Sequence, residues 1–324
     1  MIHRTAAGLL LSLAAGLPAQ AADYPAKPIT MLVSFAPGGA TDTVARAMAH
    51  EMSQHLKQNV LVVNRAGAGG AIGTTAIARA EPDGYTVGLI SVASLTILPH
   101  MQQVDYDLQS FDYLCRAYDI PVFVLVTPDS PFQTMGQLID HARANPGKIN
   151  YATVGPGSIP NMAAMELSRA ADIDMNHIAY KGEGPAVTDL LGKHVDVYLG
   201  TNAVATAHNL RRLAVASAER SPQSPETPTL TELGYPVVWS IMGGMIAPRG
   251  MEVAMRDKLQ QACAAASGSP AYQALLERVK VLPLYADGGT FQKLLATESV
   301  ANHKLLDSAG LAATPATATA SAAR

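Results

Sequence analysis

ITMLVSFAPGGATD, residues 29–42, decides the reading of the fold. An apolar run over 29–35 stops at Ala36-Pro37-Gly38-Gly39, and a helical pattern begins directly after it. That order predicts a strand, a tight loop and a helix whose N-terminus opens onto the loop. Pro37 has no backbone N–H to donate, and Gly38 and Gly39 let the chain turn sharply and let a ligand come close to the backbone. The next amides lack intrahelical partners and lie at the positive end of the helix dipole. Such a helix start receives a small anion. The plain alternative is a strand–helix turn capped by Thr41 or Asp42.

The surrounding pattern repeats the unit. Val44, Met48, Met52 and Leu56 recur four residues apart and predict an amphipathic helix over 43–57. A β-branched strand at 60–63 leads into a second glycine loop, NRAGAGG at 64–70, and a helix at 72–80. A strand at 85–91 enters the small polar loop Ser91-Val92-Ala93-Ser94. The result is βαβαβ, the unit of a parallel doubly wound sheet. Strands follow at 113–117 and 122–127, with Pro121 between them. A second α/β set then covers about 123–217, with a third glycine loop, Gly155-Pro156-Gly157-Ser158, before a helix at 161–171. Residues 181–185 lead into a helix at 186–191. The apolar stretch 237–247, with Gly243 and Gly244 inside it, reads as a strand, and the residues beyond 252 are largely helical. Ligands of open α/β sheets bind beyond the strand C-termini. Two such sheets facing each other make a cleft whose lips both offer backbone N–H groups, suited to a carboxylate and to closure by hinge motion.

Composition narrows the function classes. The chain has 324 residues, enough for two domains, and 48% are apolar, enough for a sizeable core. Net charge is −3, so no basic field points to nucleic acid or to an anionic membrane. Five Phe and one Trp supply no base-stacking platform. Residues 1–21 read as a secretory signal: His3 and Arg4, a short apolar core at 9–15, and the small-x-small site Ala19-Gln20-Ala21. The mature, exported chain then starts near Ala22. Residues 312–324 are rich in Ala and Thr and read as a disordered tail. Cys115 and Cys263 suit an oxidising compartment either as a disulfide or as two buried thiols. They form no CxxC, so zinc and redox roles lack support.

Catalytic signatures are missing. The nine histidines form no HExxH, and Ser158 lacks the G-x-S-x-G elbow. Pro37-Gly38-Gly39 lacks the spacing and lysine of a nucleotide P-loop. Gly67, Gly69 and Gly73 follow the pattern G-x-G-x-x-x-G, a poor dinucleotide fingerprint and more simply a turn that packs helix on sheet. Asp42 and Asp196 tempt as paired carboxylates. Asp42 reads better as a residue bonding helix-start amides, and Asp196 as one that orders neighbouring loops. No metal and no cofactor are expected.

With these residues assembled, the chain closely resembles the Bug-type substrate-binding proteins of tripartite tricarboxylate transporters. The likeness spans about 24–311 and rests on an ordered series: YPAKPI at 24–29, FAPGGATD at 35–42, NRAGAGG at 64–70, PDGY at 82–85, NPGKINY at 145–151, YKG at 180–182 and DLLG at 189–192. It implies a periplasmic two-domain α/β binding protein of the Venus-flytrap type, each domain a doubly wound sheet flanked by helices. It implies domain 1 at about 24–122 plus 220–311 and domain 2 at about 123–219. It places Phe35, Pro37, Gly38, Gly39, Thr41 and Asp42 on one lip, and Gly155, Gly157, Ser158 and Asn161 on the other. Ser91, Ser94, Thr201 and Asn202 would line the floor, and Ser94, Met162, Met242 and Trp239 are candidates for the distal end of the ligand. The implied ligand is a small organic acid, aromatic acids included. Because the pocket loops lack Arg and Lys apart from nearby Lys181, a mono- or dicarboxylate fits better than citrate. The implied partner is an integral-membrane transporter or a membrane sensor, and the chain is expected to be a monomer. Two departures from the family pattern bear on ligand size: Met242-Gly243 stands where the family commonly has a Trp–aromatic pair, and 203–212 is short. The rival reading, a secreted α/β enzyme using the glycine loops as an oxyanion hole, needs a nucleophile–base pair.

Overall fold

The structure is a computed structural model and describes residues 24–308 and 310–313. The signal segment, and all but two residues of the expected tail, lie outside the described residues.

Strand β1 (Ile29–Val33) is buried almost throughout and sits between β2 (Val60–Asn64) and β3 (Thr86–Ser91), parallel to both. Helix α1 (Ala40–Leu56) follows β1 and turns its Val44, Met48, Met52 and Leu56 stripe into the core. Helix α2 (Ala71–Ala78) lies between β2 and β3. Two single-turn helices, α3 (Ala93–Thr96) and α4 (Leu98–Met101), come next, where the sequence reads as a loop around Ser94.

Strand β4 (Phe111–Val126) runs on through Pro121, where the sequence suggests two strands. The reason lies in its partners. Residues 111–121 pair antiparallel with β9 (Ser240–Pro248), and Pro121 opposite Ser240 is the last pair of that ladder. Val122 is the first residue paired with β7 (Val197–Thr201) and with β8 (Arg211–Ala216). The missing N–H therefore falls at a changeover between ladders, where proline costs little.

One sheet has the order β2-β1-β3-β9-β4, with β10 (Leu282–Asp287) also on β4. Exposed, Pro-containing β10 carries no alternation to betray it in the sequence. The other sheet continues from β4 to β7, β5 (Asn150–Thr153) and β6 (Asn176–Ala179), the last three mutually parallel. Helices α5 (Met135–Ala144), α6 (Ile159–Ala171), α7 (Glu183–Leu191) and α8 (Asn202–Ala207) belong to this second lobe. Thr134 and Gln137 form a capping box that starts α5. After β9, helices α9 (Val253–Gly268), α10 (Pro270–Arg278) and α11 (Gly288–Ser308) return to the first lobe. There α9 packs on α1 and β4. Cys115 of β4 and Cys263 of α9 are joined as a disulfide, with Cα atoms 6.5 Å apart. Among the described residues no helix is long and apolar enough to cross a membrane.

Candidate functional site

The N-termini of α1 and α6 face each other across a cleft of about 460 Å³, a volume that includes its mouth. Of the candidate site residues, Phe35, Gly39, Thr41, Asp42, Ser91, Ser158 and Thr201 line it. Ala40, Ile120, Val154, Ile159, Pro160, Glu183 and Ile241 line it as well.

The first lip is held by its own acid. Asp42 is buried and accepts from Gly38 N at 3.1 Å, from Arg46 Nε and Nη2 at 3.0 and 2.9 Å, and from Asn64 Nδ2 at 2.9 Å. Asn64 Nδ2 also donates to the Phe35 carbonyl. Burial pushes the Asp42 carboxyl up, but the Arg46, Asn64 and Gly38 hydrogen bonds and the Arg46 charge outweigh it and hold it below the usual carboxylate range. Asp42 thus orders the loop: the amide it holds is that of Gly38, ahead of the helix, whereas the sequence suggests bonds to the helix-start amides. Pro37 and Gly38 stand exposed at the rim and do not line the cleft. The amides of Thr41 and Asp42 find no acceptor among the described residues.

The second lip caps itself. Ser158 Oγ donates to Gly155 O at 2.7 Å and accepts from Asn161 N at 3.4 Å, while Asn161 Oδ1 accepts from Gly157 N at 3.1 Å. Gly155, Gly157 and Asn161 therefore shape the loop from behind and stay out of the lining. Pro160 has no N–H, and the Ile159 amide finds no acceptor among the described residues.

Other predicted residues fall elsewhere. Ser94 is turned back, its Oγ donating to Ser91 O at 2.8 Å, and it does not line the cleft. Asn202 is buried beside Thr201, with Oδ1 held by Arg212 Nε, and is also outside the lining. Met162 and Trp239 border a separate hollow beside Leu305 and Leu311, and Trp239 Nε1 donates to Glu166. Met242 packs in the first lobe, and its neighbour Ile241 lines the cleft instead. Met242 misses the cleft because strand alternation sends it and Ile241 to opposite faces of β9. Asp196 sits just before β7 and accepts from Asn150 N at 2.8 Å, on the far side from Asp42.

Glu183 is the residue that sequence reasoning passes over. Helix α7 starts at Glu183, three residues before the helix expected at 186. Its carboxylate reaches across the cleft. Oε2 accepts from Ala40 N at 2.6 Å and from Thr201 Oγ1 at 3.2 Å. Oε1 accepts from Tyr198 Oη at 2.9 Å and from Thr201 N at 3.1 Å. Burial pushes this carboxyl above its usual range, against the pull of the four donors. An acid directly after Gly182 at a strand–loop–helix junction is the local signal for a helix start. Nothing local points to α1.

The lips touch. Ala36 N donates to Lys181 O at 3.3 Å. A Cβ added at Gly69, which has a φ of +64°, would stand 2.5 Å from Pro156 O. The second glycine loop therefore does more than pack α2 against β1. It is the surface on which the opposite lip rests.

Cleft donors are thus backbone amides and hydroxyls, the walls are mainly apolar, and among the described residues no Arg, Lys or His lines it. Ser158 donates to a carbonyl rather than to a base. Among the described residues no group of His, Cys, Asp and Glu could hold a metal ion.

Two α/β sheets joined through shared β4, with a cleft between facing helix starts, define the architecture of periplasmic binding proteins. The chain belongs to the tripartite tricarboxylate transporter family receptors, whose model matches residues 44–311. This is a family of receptors and not of enzymes. BugT of Bordetella pertussis is 38% identical over 72% of this chain and 74% of its own length. The periplasmic binding protein BugD has the same fold, with a TM-score of 0.85 and 32% identity over 89% of this chain and 99% of its own. MatC of Rhodopseudomonas palustris, solved with bound malate, superposes with a TM-score of 0.82 and 26% identity over 87% of this chain and 100% of its own.

Proposed function

We propose that this protein is an exported periplasmic receptor that captures a small organic acid between its lobes and presents it to an integral-membrane transporter. The observation that carries this reading is the set of unpartnered amides of Thr41, Asp42 and Ile159, at two facing helix starts, in a cleft without a cationic side chain. Backbone amides at a helix start hold a carboxylate through charge-assisted bonds, roughly twice as strong as neutral ones. MatC, with its bound malate, supports a carboxylate as the ligand. Phe35, Gly39, Thr41, Asp42, Ser91, Ser158 and Thr201 form the wall. Pro37, Gly38, Ser94, Gly155, Gly157, Asn161 and Asn202 hold that wall in shape. The domains divide at about 24–122 plus 220–311 and 123–219, and the change of β4 partners after Pro121 supports that division. Signal cleavage near Ala21 releases the mature monomer.

A thermal-shift screen of the mature protein against organic acids, amino acids and aromatic acids tests the reading. A carboxylate at 100 times its Kd adds about 2.7 kcal/mol to stability, a shift of several degrees. Hits confined to neutral or cationic solutes would overturn it.

A further inference from the structure

Glu183 is an anion that the protein places in its own cleft. The residue is 7% exposed, lines the cavity, and has no ion-pair partner among the described residues. Lys181, two residues before it, is exposed to solvent. The other buried acid of the wall, Asp42, is neutralised by Arg46 at 2.9 Å. Glu183 is not neutralised.

Its hydrogen bonding is full. Two amides and two hydroxyls, one pair on each oxygen, use the four acceptor sites of a carboxylate. A solute in the cleft gains no hydrogen bond from Glu183 and feels only its charge. The carboxyl also covers Ala40 N, the first amide of α1, and in its ionised form its negative charge more than offsets the partial positive charge of that helix start. The uncommitted amides of Thr41, Asp42 and Ile159 can take one carboxylate. Beyond them the wall is mainly apolar, formed by Phe35, Ile120, Val154, Pro160 and Ile241. A second carboxylate would meet a like charge in a mainly apolar cavity, with no cationic side chain among the described lining residues to offset it.

We infer that Glu183 filters solutes by charge, so that the cleft takes a monocarboxylate and discriminates against the matching dicarboxylate. This rests on the receptor reading above and narrows it. It also sets this chain apart from MatC, whose bound malate carries two carboxylates.

Isothermal titration of the mature protein with two matched pairs, butyrate against succinate and hexanoate against adipate, tests the inference. The monocarboxylate of at least one pair should bind tenfold or more tightly than its partner, about 1.4 kcal/mol. Glu183→Gln should shrink that ratio to threefold or less, chiefly by improving the dicarboxylate. Glu183→Ala, checked for folding by its melting transition, should shrink it in the same way. Equal binding of both members by the wild type would overturn the charge filter and leave the receptor reading standing. An unchanged ratio in both folded variants would overturn the assignment to Glu183. No binding of any of the four acids, together with a screen that finds no carboxylate, would overturn both.

Discussion

The two lips are built to one plan and finished differently. Each is a strand, a glycine loop and a helix. The second lip closes on itself through Ser158 and Asn161, residues of its own turn. The first has Gly39 at its helix cap, with no side-chain cap, and borrows Glu183 from 143 positions away. A self-capped helix start keeps its geometry whether the cleft is open or shut. A start capped from the opposite lobe has its partner only when the cleft is shut. The difference teaches that one lip is complete in itself and the other is completed from across the cleft.

The largest effect should come from preventing the lips from meeting. Gly69→Ala puts a Cβ against the Pro156 carbonyl and should weaken carboxylate binding about a hundredfold or more by depopulating the closed state. Gly38→Ala is the control. Gly38 also has positive φ, +90°, but its Cβ meets nothing within 4 Å. It should cost about 1 kcal/mol of stability through backbone strain and leave affinity within threefold. Calorimetric titration and thermal melting separate the two.

Next comes the internal bracing of each lip, read by urea unfolding. Asp42→Ala strands Arg46, Asn64 and the Gly38 amide and should cost about 2–3 kcal/mol. Ser158→Ala removes a single side-chain cap and should cost about 1 kcal/mol. The reverse order would mean that the second lip carries the greater share of the bracing.

The smallest effect is in pH dependence, and its sign differs between the two buried acids of the cleft wall. Asp42 has its folded pKa below the ordinary 3.8, so its stabilisation is complete above that value and is lost as pH falls through the folded pKa. Glu183 has its folded pKa above the ordinary 4.5, so its contribution is most favourable below 4.5 and declines as pH rises through the window above it. Urea unfolding between pH 3 and 8 should therefore show Asp42→Asn flattening the acid limb. Glu183→Gln should gain on the wild type as pH rises past 4.5.

Much of this was legible in the sequence because it is local. An apolar run, a Pro-Gly-Gly stop and a periodic helix determine β1, its loop and α1, and Ser158 announces its own cap. What the sequence hid is long-range. Glu183 reads as part of a loop leading into a helix at 186, and only the tertiary fold brings Ala40 to it. Pro121 argues for a break in β4 unless it is known that the neighbouring strand changes there. Ser94 and Asn202 sit in stretches the sequence points to, but their side chains turn away from the cleft, since a side chain's direction depends on turns no pattern encodes. The bond between Cys115 and Cys263, left open against two buried thiols, is set by how α9 packs on β4.

Strand β4 also fixes the order in which the molecule can be assembled. All strands of the second sheet, β4 to β8, lie between residues 111 and 216, so they are present together early as the chain emerges from its N-terminus. The first sheet is interrupted in sequence. Strands β1 to β3 are made first yet must wait for β9, beginning at residue 240, to join them to β4. Their pairing is of high contact order and correspondingly slow. The other half of β4, residues 111–121, left free when the residues from Val122 onward pair with β7 and β8, then serves as the template on which β9 docks, and the lobe that begins the chain is the last to close.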